Sequence, residues 1–289
     1  MEIPSFGDLS KCARDILNSG YQYGKGVAKI SFKTKSKSHL EVDSNFSLDQ
    51  ADLTGQGDAG VSLKLRNYGV LTEKWYSDGT LCFDYGINDK LINGLNITAG
   101  CKYNPSTNYS TATIGTNFKN ENFNVSGSIS NIFDSNFELF GAAVVGMKNL
   151  LLGYQATYET GTNALTKSDI GITYNFTDLK LHFKCSPGIS NDFGLSAAYR
   201  ANDNLETAVS GTVTKTNDNI EYWTCGFGTR YKLDDTSTLR LKLDTELQLG
   251  TSIQQLIQDG INLTLAFGFD LKDVVNGTHK VGLAIDIEA

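Results

Sequence analysis

From Lys29 to the last residue, apolar and polar side chains alternate with a period of two, and the alternation restarts after each cluster of turn formers. Successive side chains of an extended strand point to opposite faces, so this grammar builds strands with one apolar and one polar face. In "NLTLAFGFDL", Leu263, Leu265, Phe267, Phe269 and Leu271 oppose Asn262, Thr264, Ala266, Gly268 and Asp270. The run "LRLKLDTELQL" sets Leu239, Leu241, Leu243, Leu247 and Leu249 against Arg240, Lys242, Asp244, Glu246 and Gln248. "LKLHFKC" and "KVGLAIDIEA" repeat the pattern, and clusters such as "SDG", "AND", "LDDT" and "QDG" separate the runs. At about ten residues per strand and four per turn, the alternating region holds roughly 19 strands. With only 3 prolines in the chain, long hydrogen-bonded ladders meet few interruptions.

The apolar faces need either a dry core or lipid. A soluble fold of this length would divide into domains joined by linkers, and no Pro- or Gly-rich linker interrupts the strands. An unbroken series of strands fits one closed sheet, because hydrocarbon cannot satisfy an open edge. Tyr154, Tyr158, Tyr174, Tyr199, Tyr222, Trp223 and Tyr231 suit an interfacial girdle, although aromatics favour strands in any case. A barrel of this size is too wide for side chains to fill and encloses water, which makes it a pore. The N-terminus carries no secretory signal pattern, so a eukaryotic organelle's outer membrane is expected rather than a bacterial one.

The first twenty residues follow another rule. Phe6, Leu9, Ala13, Ile16 and Leu17 recur at helical spacing, Ser5 and Asp8 have capping-box spacing, and Gly20 supplies a stop. One amphipathic helix of about 22 Å is expected, too short and polar to span a bilayer. Gly20, Gly24 and Gly26 in the following "GYQYGKG" form an expected hinge, giving a division into 1–26 (helix and hinge) and 27–289 (transmembrane β-barrel).

Composition excludes several classes. The 5 cysteines are scattered without a CxxC pair, so neither a disulfide framework nor a zinc site is expected. The 3 histidines are isolated, and no nucleophile elbow, P-loop or dinucleotide fingerprint occurs, so no enzyme, cofactor or metal is expected. A net charge of −7 gives no reason to expect a nucleic-acid partner.

Five segments then carry a resemblance to the mitochondrial porins, the voltage-dependent anion channel family, over essentially the whole chain. "PSFGDLSKCARDILNSGYQYG" resembles the family's N-terminal helix and glycine hinge, and "YGVLTEKW" an early strand. "GYQATYET" is similar to a mid-barrel strand, "FGLSAAYRANDNLETAV" to its signature segment, and "GINLTLAFGFDLKDVVNGTHKVGLAIDIEA" to its C-terminal hairpin. The resemblance implies an all-β transmembrane barrel of about 19 strands, mostly antiparallel with the first and last parallel, and a helix inside the lumen. It implies a voltage-gated diffusion pore of the mitochondrial outer membrane, passing ions and metabolites such as ATP and ADP. Self-association and docking of hexokinase-type kinases and apoptosis regulators are further implications. The alternatives are the related protein-import barrel of the same membrane and, from another class, a soluble all-β binding protein.

Strand parity assigns Lys33, Lys64, Arg66, Lys74, Lys180, Lys184, Arg200, Arg240 and Lys242 to the polar face, with acids including Asp244 and Glu246 against them. The family's basic helix residues match Lys11 and Arg14, while Ser19 stands where a further lysine is expected. In "NGLNIT", Gly94, Leu95 and Asn96 occupy a motif the family associates with nucleotide contact, with Asn96 in place of its usual lysine. With a nearly balanced wall, the expectation is weakened anion preference or cation selectivity. The competing explanation places the excess acid in outer loops, among them Asp78, Asp192, Asp218 and Asp234. Parity also puts Leu71, Glu73 and Trp75 on the lipid side. A charge at mid-bilayer costs about 2.5–3.5 kcal/mol on insertion scales. Glu73 is therefore expected to be a regulatory contact, as the resemblance also implies.

Overall fold

The computed structural model describes residues 3–22, 28–35, 39–48, 54–65, 68–188, 191–216, 219–275, 277 and 279–289. Arg66, Gly24, Gly26 and Asp218 lie outside the described residues. The first strands are β1 (Ala28–Lys35), β2 (Leu40–Leu48), β3 (Gly55–Leu65), β4 (Gly69–Tyr76), β5 (Leu81–Asn88), β6 (Leu95–Asn104), β7 (Tyr109–Lys119) and β8 (Phe123–Ser130). There follow β9 (Glu138–Met147), β10 (Leu150–Glu159), β11 (Ala164–Asn175), β12 (Leu179–Ser186), β13 (Asn191–Arg200), β14 (Leu205–Thr216) and β15 (Asn219–Lys232). The series ends with β16 (Ser237–Asp244), β17 (Gln248–Gln258), β18 (Ile261–Asp270) and β19 (Lys280–Glu288).

Consecutive strands pair antiparallel, and the 19-stranded sheet closes where β1 meets β19. Antiparallel neighbours alternate in direction, so the first and last of an odd number run the same way. Their pairing is accordingly parallel, with Ala28 opposite Leu283 and Lys33 opposite Glu288. Closure leaves no unpaired edge for hydrocarbon to meet.

Two local expectations differ from the structure. "LRLKLDTELQL" is a hairpin, with β16 ending at Asp244 and β17 starting at Gln248. Asp244 Oδ1 accepts hydrogen bonds from the backbone N–H groups of Glu246 (3.0 Å) and Gln248 (2.9 Å), and Leu247 takes φ 59. An Asp that bonds its own backbone two residues on makes a turn, which overrides the leucine periodicity. Glu246 therefore sits in that turn, where it accepts a hydrogen bond from Tyr222 at 2.7 Å.

The N-terminal segment is likewise two pieces, a 3-10 turn over Phe6–Asp8 and helix α1 (Lys11–Asn18). Ser5 makes no backbone cap; its hydroxyl bonds the Asp8 carboxylate instead at 2.7 Å. Gly7 lowers helical propensity there, and the Arg14 guanidinium donates to the Gly7 carbonyl at 3.0 Å. The break lets Phe6 and Leu9 reach the wall while Ala13, Ile16 and Leu17 pack farther along it.

Candidate functional site: the inner wall and the segment packed on it

The strand registers sort every side chain to one of two faces. Outside, β4 presents Leu71, Glu73 and Trp75, and the cross-strand neighbours of Glu73 are Val61 and Phe83. Away from the strand ends, Glu73 is the one carboxylate among the described outer positions, and no ammonium or guanidinium joins it there. Inside, the registers align Lys33 with Asp43, Gly60 with Lys74, and Asp84 with Gly100.

The inner face divides into two sectors. Under the N-terminal segment, β9 and β10 offer Ala142, Val144 and Leu151 to Ile3, Phe6 and Leu9. Farther round, Ala198 and Ala208 receive Ala13, Ile16 and Leu17. Glycines make the remaining room. A Cβ at Gly153 would stand 2.7 Å from the Phe6 ring and 2.9 Å from Leu9, and one at Gly228 would stand 2.8 Å from Leu17. Each apolar side chain buried there contributes about 1.5–3 kcal/mol. An eight-residue helix is marginal by itself in water, so the wall holds it in shape.

Polar contacts fix the ends. Asn124 donates to the Ile3 carbonyl at 3.2 Å, and Lys180 Nζ donates to Cys12 Sγ at 3.2 Å. At Gly20, whose φ of +85 suits a residue without Cβ, the Arg240 guanidinium occupies the space a side chain would need. Lys242 Nζ lies 4.5 Å from the centre of the Tyr21 ring, a cation–π contact.

The bare sector, β1 to β7, is lined by paired charges. Lys64 meets Glu41, and Lys74 Nζ lies 3.7 Å from Asp43. In the covered sector Glu206 bridges Arg200 (3.3 Å) and Arg230. Asp169, with a side chain only 1% exposed, takes Lys184 at 3.1 Å and Lys167 at 3.7 Å, with Gln155 donating to the same oxygen. His182, also inward, is hydrogen-bonded to Thr173 at 2.8 Å.

Among the residues singled out from sequence, Lys180 and Arg200 share a recess with Cys12 and Asp15 of α1. Lys184 joins Asp169, while Arg240 and Lys242 hold the chain leaving the helix. Lys33, Lys64 and Lys74 stand in the bare sector, and Lys11 is exposed on α1. Gly94 (φ +86) belongs to the turn before β6, where a Cβ would run into the Lys119 carbonyl. Leu95 shares the outer register of Phe118, and Asn96 aligns with Asn88 and Asn117 on the inner face. Asp192, expected in a loop, lies in β13 opposite Ser186 and Thr214, on the inner face. Asn191 and Asp192 read as a turn by composition, but the β13–β14 ladder includes both. Tyr222 likewise shares the inner register of Thr214, which removes it from any outer girdle.

Sequence reasoning missed Asp169 and Lys167 as wall residues, and it missed the small-residue track altogether. The available signal was the occupancy of inward positions by Gly, Ala, Val and Leu from β9 to β15, although Ala266, Gly268, Gly282 and Ala284 put small residues on the inner face of β18 and β19 as well.

Comparison with known proteins agrees over the full length. The family model of the eukaryotic porins matches residues 2–282. The chain is 33% identical over 287 residues to the non-selective voltage-gated ion channel VDAC2 of Meleagris gallopavo, covering 99% of this chain and 94% of that protein. It is 32% identical over 288 residues to VDAC1 of Homo sapiens, another non-selective voltage-gated ion channel, covering 99% of each. Among solved structures, a mutant porin of Rhodopseudomonas blastica aligns with 86% of this chain and 98% of its own, at a TM-score of 0.50 and 9% identity. That likeness concerns the fold alone.

Proposed function

The chain belongs to the eukaryotic porin family, and from that premise we propose that it is a voltage-gated diffusion pore of the mitochondrial outer membrane. Its cargo is small ions and metabolites, adenine nucleotides among them. The observation that carries this reading is the closed 19-stranded sheet with charge inside and an outer face whose only carboxylate away from the strand ends, among the described residues, is Glu73. Eukaryotic porins are channels, so the inner residues act on permeant ions through their fields and contacts, without bond chemistry.

Segment 1–26 serves as the movable constriction and 27–289 as the wall. Lys33, Lys64, Lys74, Lys180, Lys184, Arg200, Arg240 and Lys242 attract anions, and Asp43, Asp58, Asp84, Asp169, Glu206 and Asp244 offset them. Every cation in an ion pair with a wall acid loses most of its reach at physiological ionic strength, because screening acts within about 8 Å. The result is a pore of weakened anion preference, in keeping with Ser19 and Asn96 at positions where lysine is expected. Reversal potentials in a salt gradient across a planar bilayer test it; strong anion selectivity would reject it.

Self-association and the docking of hexokinase-type kinases or apoptosis regulators belong to the outer face around Glu73. A Glu73→Gln variant is expected to keep its reversal potential while crosslinking between copies changes. An altered reversal potential would count against a lipid-side role.

A further inference from the structure

A recess of about 230 Å³ remains between α1 and strands β12 to β14, lined by Arg14 and Lys184 and by the hydroxyls of Ser10, Ser196, Ser210 and Thr212. We propose that it is a seat for one phosphate group, supplied by inorganic phosphate or by a small phosphomonoester in the lumen. The inference rests on the pore reading and names a ligand class for its wall.

Charge is the first support. Among the described residues, no carboxylate lines this recess. The neighbouring recess beside α1 carries Lys180, Arg200 and Arg230, but Asp15, Asp178 and Glu206 line it with them. Lys184 does touch Asp169, but that buried carboxylate also serves Lys167, so one acid answers two ammonium groups. Asp169 thereby orients Lys184 without cancelling the local surplus. Arg14 uses one guanidinium nitrogen on the Gly7 carbonyl and keeps further donors.

An orphaned group is the second support. Ser196 Oγ is shielded from solvent and has no hydrogen-bond partner. Buried hydroxyls are normally paired, and a ligand oxygen in the recess would supply the missing partner. Several donors converging from both walls suit a tetrahedral oxyanion, whose oxygens accept several charge-assisted bonds at once. Chloride offers a single atom, whereas the four oxygens of a phosphate can reach donors on both walls. Liquid water takes about 30 Å³ per molecule, so the space has room for a phosphate and a short substituent.

A bound phosphate would bridge Arg14 on the helix to Lys184 on the wall. Because it binds only when α1 is docked, it favours the docked state by its differential affinity. The full-length channel in planar bilayers gives the test, at constant ionic strength. Inorganic phosphate should move the voltage of half-closure outward and saturably, and methyl phosphate should do the same. Lys184→Gln and Arg14→Gln should each raise the half-effect concentration about tenfold, whereas Lys184→Arg retains most of the response. Phosphorus NMR line broadening in micelles should follow the same order independently of gating. Equal responses in the wild type and both glutamine variants, or ADP acting at lower concentration than inorganic phosphate, would overturn the seat. A channel that closes with voltage but ignores phosphate overturns the seat alone; a protein that forms no channel overturns the pore reading with it.

Discussion

Strands β1 to β7 and strands β9 to β15 share one sheet and one alternation, yet their inner faces differ in kind. The first set carries paired charges such as Lys64 with Glu41 and Lys74 with Asp43. The second gives up side-chain volume, with Ala142, Ala198, Ala208, Gly153 and Gly228 lying beneath Ile3, Phe6, Leu9, Ile16 and Leu17. A lumen wall facing water needs polar groups, whereas one facing a docked helix needs vacancies of matching shape. Residue size on the inner face, rather than hydrophobic period, separates the wall beneath the N-terminal segment from the charged wall of β1 to β7.

The largest break in this comparison should come from the helix side. Phe6 is 8% exposed and sits over Gly153. Phe6→Ala should remove about 3–5 kcal/mol of docking energy, as truncation of a buried aromatic does. Faster hydrogen exchange across residues 6–18 and an altered voltage response would register it; unchanged exchange would mean that the packing does not hold the helix.

The wall side gives a paired test of the next size. Gly153→Val forces Phe6 and Leu9 aside and should cost about 1–3 kcal/mol by overpacking. Gly86→Val lies on the inner face of the bare sector, where the nearest atom to a new Cβ is a Thr98 methyl at 4.0 Å. It should stay within about 0.5 kcal/mol. Thermal unfolding in detergent measures both, and equal losses would erase the distinction between sectors.

Charge sharpens the comparison from the other direction. Asp43 contacts Lys74 across half-exposed ground, so Asp43→Asn should cost at most about 1 kcal/mol of stability. It frees one ammonium toward the lumen, and the reversal potential should move toward anions. The converse in the covered sector is Lys167→Gln, which leaves Asp169 with Lys184 and should move the potential toward cations. If neither potential moves, the wall charges do not govern permeation.

Much of this architecture is legible in the residues, and the illegible part has physical causes. Period-two alternation reports face directly, so the strands, their approximate number and the outward position of Glu73 follow from it. Parity says nothing about depth. Asp169 is an inward carboxylate like Asp43, but only the pairing of β10, β11 and β12 brings Gln155, Lys167 and Lys184 over it. Local chemistry also overrides period, as when Asp244 bends "LRLKLDTELQL" into a hairpin and moves Glu246 to the turn. The segment "LFGAAVVGM" reads from sequence as a short apolar stretch, whereas Ala142 and Val144 within it receive Ile3, Phe6 and Leu9.

The smallest effects should be alike in the two sectors, because the turns outside the membrane share one device. Asp78, between β4 and β5, accepts the backbone N–H of Thr80 at 2.8 Å, and Asp234, between β15 and β16, accepts that of Thr236 at 2.7 Å. Hydrogen bonds from Thr80 hold the Asp78 carboxyl below its ordinary value, and those from Thr236 do the same for Asp234. A carboxylate depressed in the folded state contributes stability above the unfolded value of about 3.9 and loses it as pH falls through the folded value. Asp78→Asn and Asp234→Asn should therefore each cause a small loss near pH 7, and the gap to wild type should narrow once the pH drops below about 4. Unfolding scans of detergent-solubilised protein at both pH values read the difference directly. A loss at Asp234 much larger than at Asp78 would mean that the helix-bearing sector tightens its turns as well as its wall, and the contrast between sectors would then extend beyond the lumen.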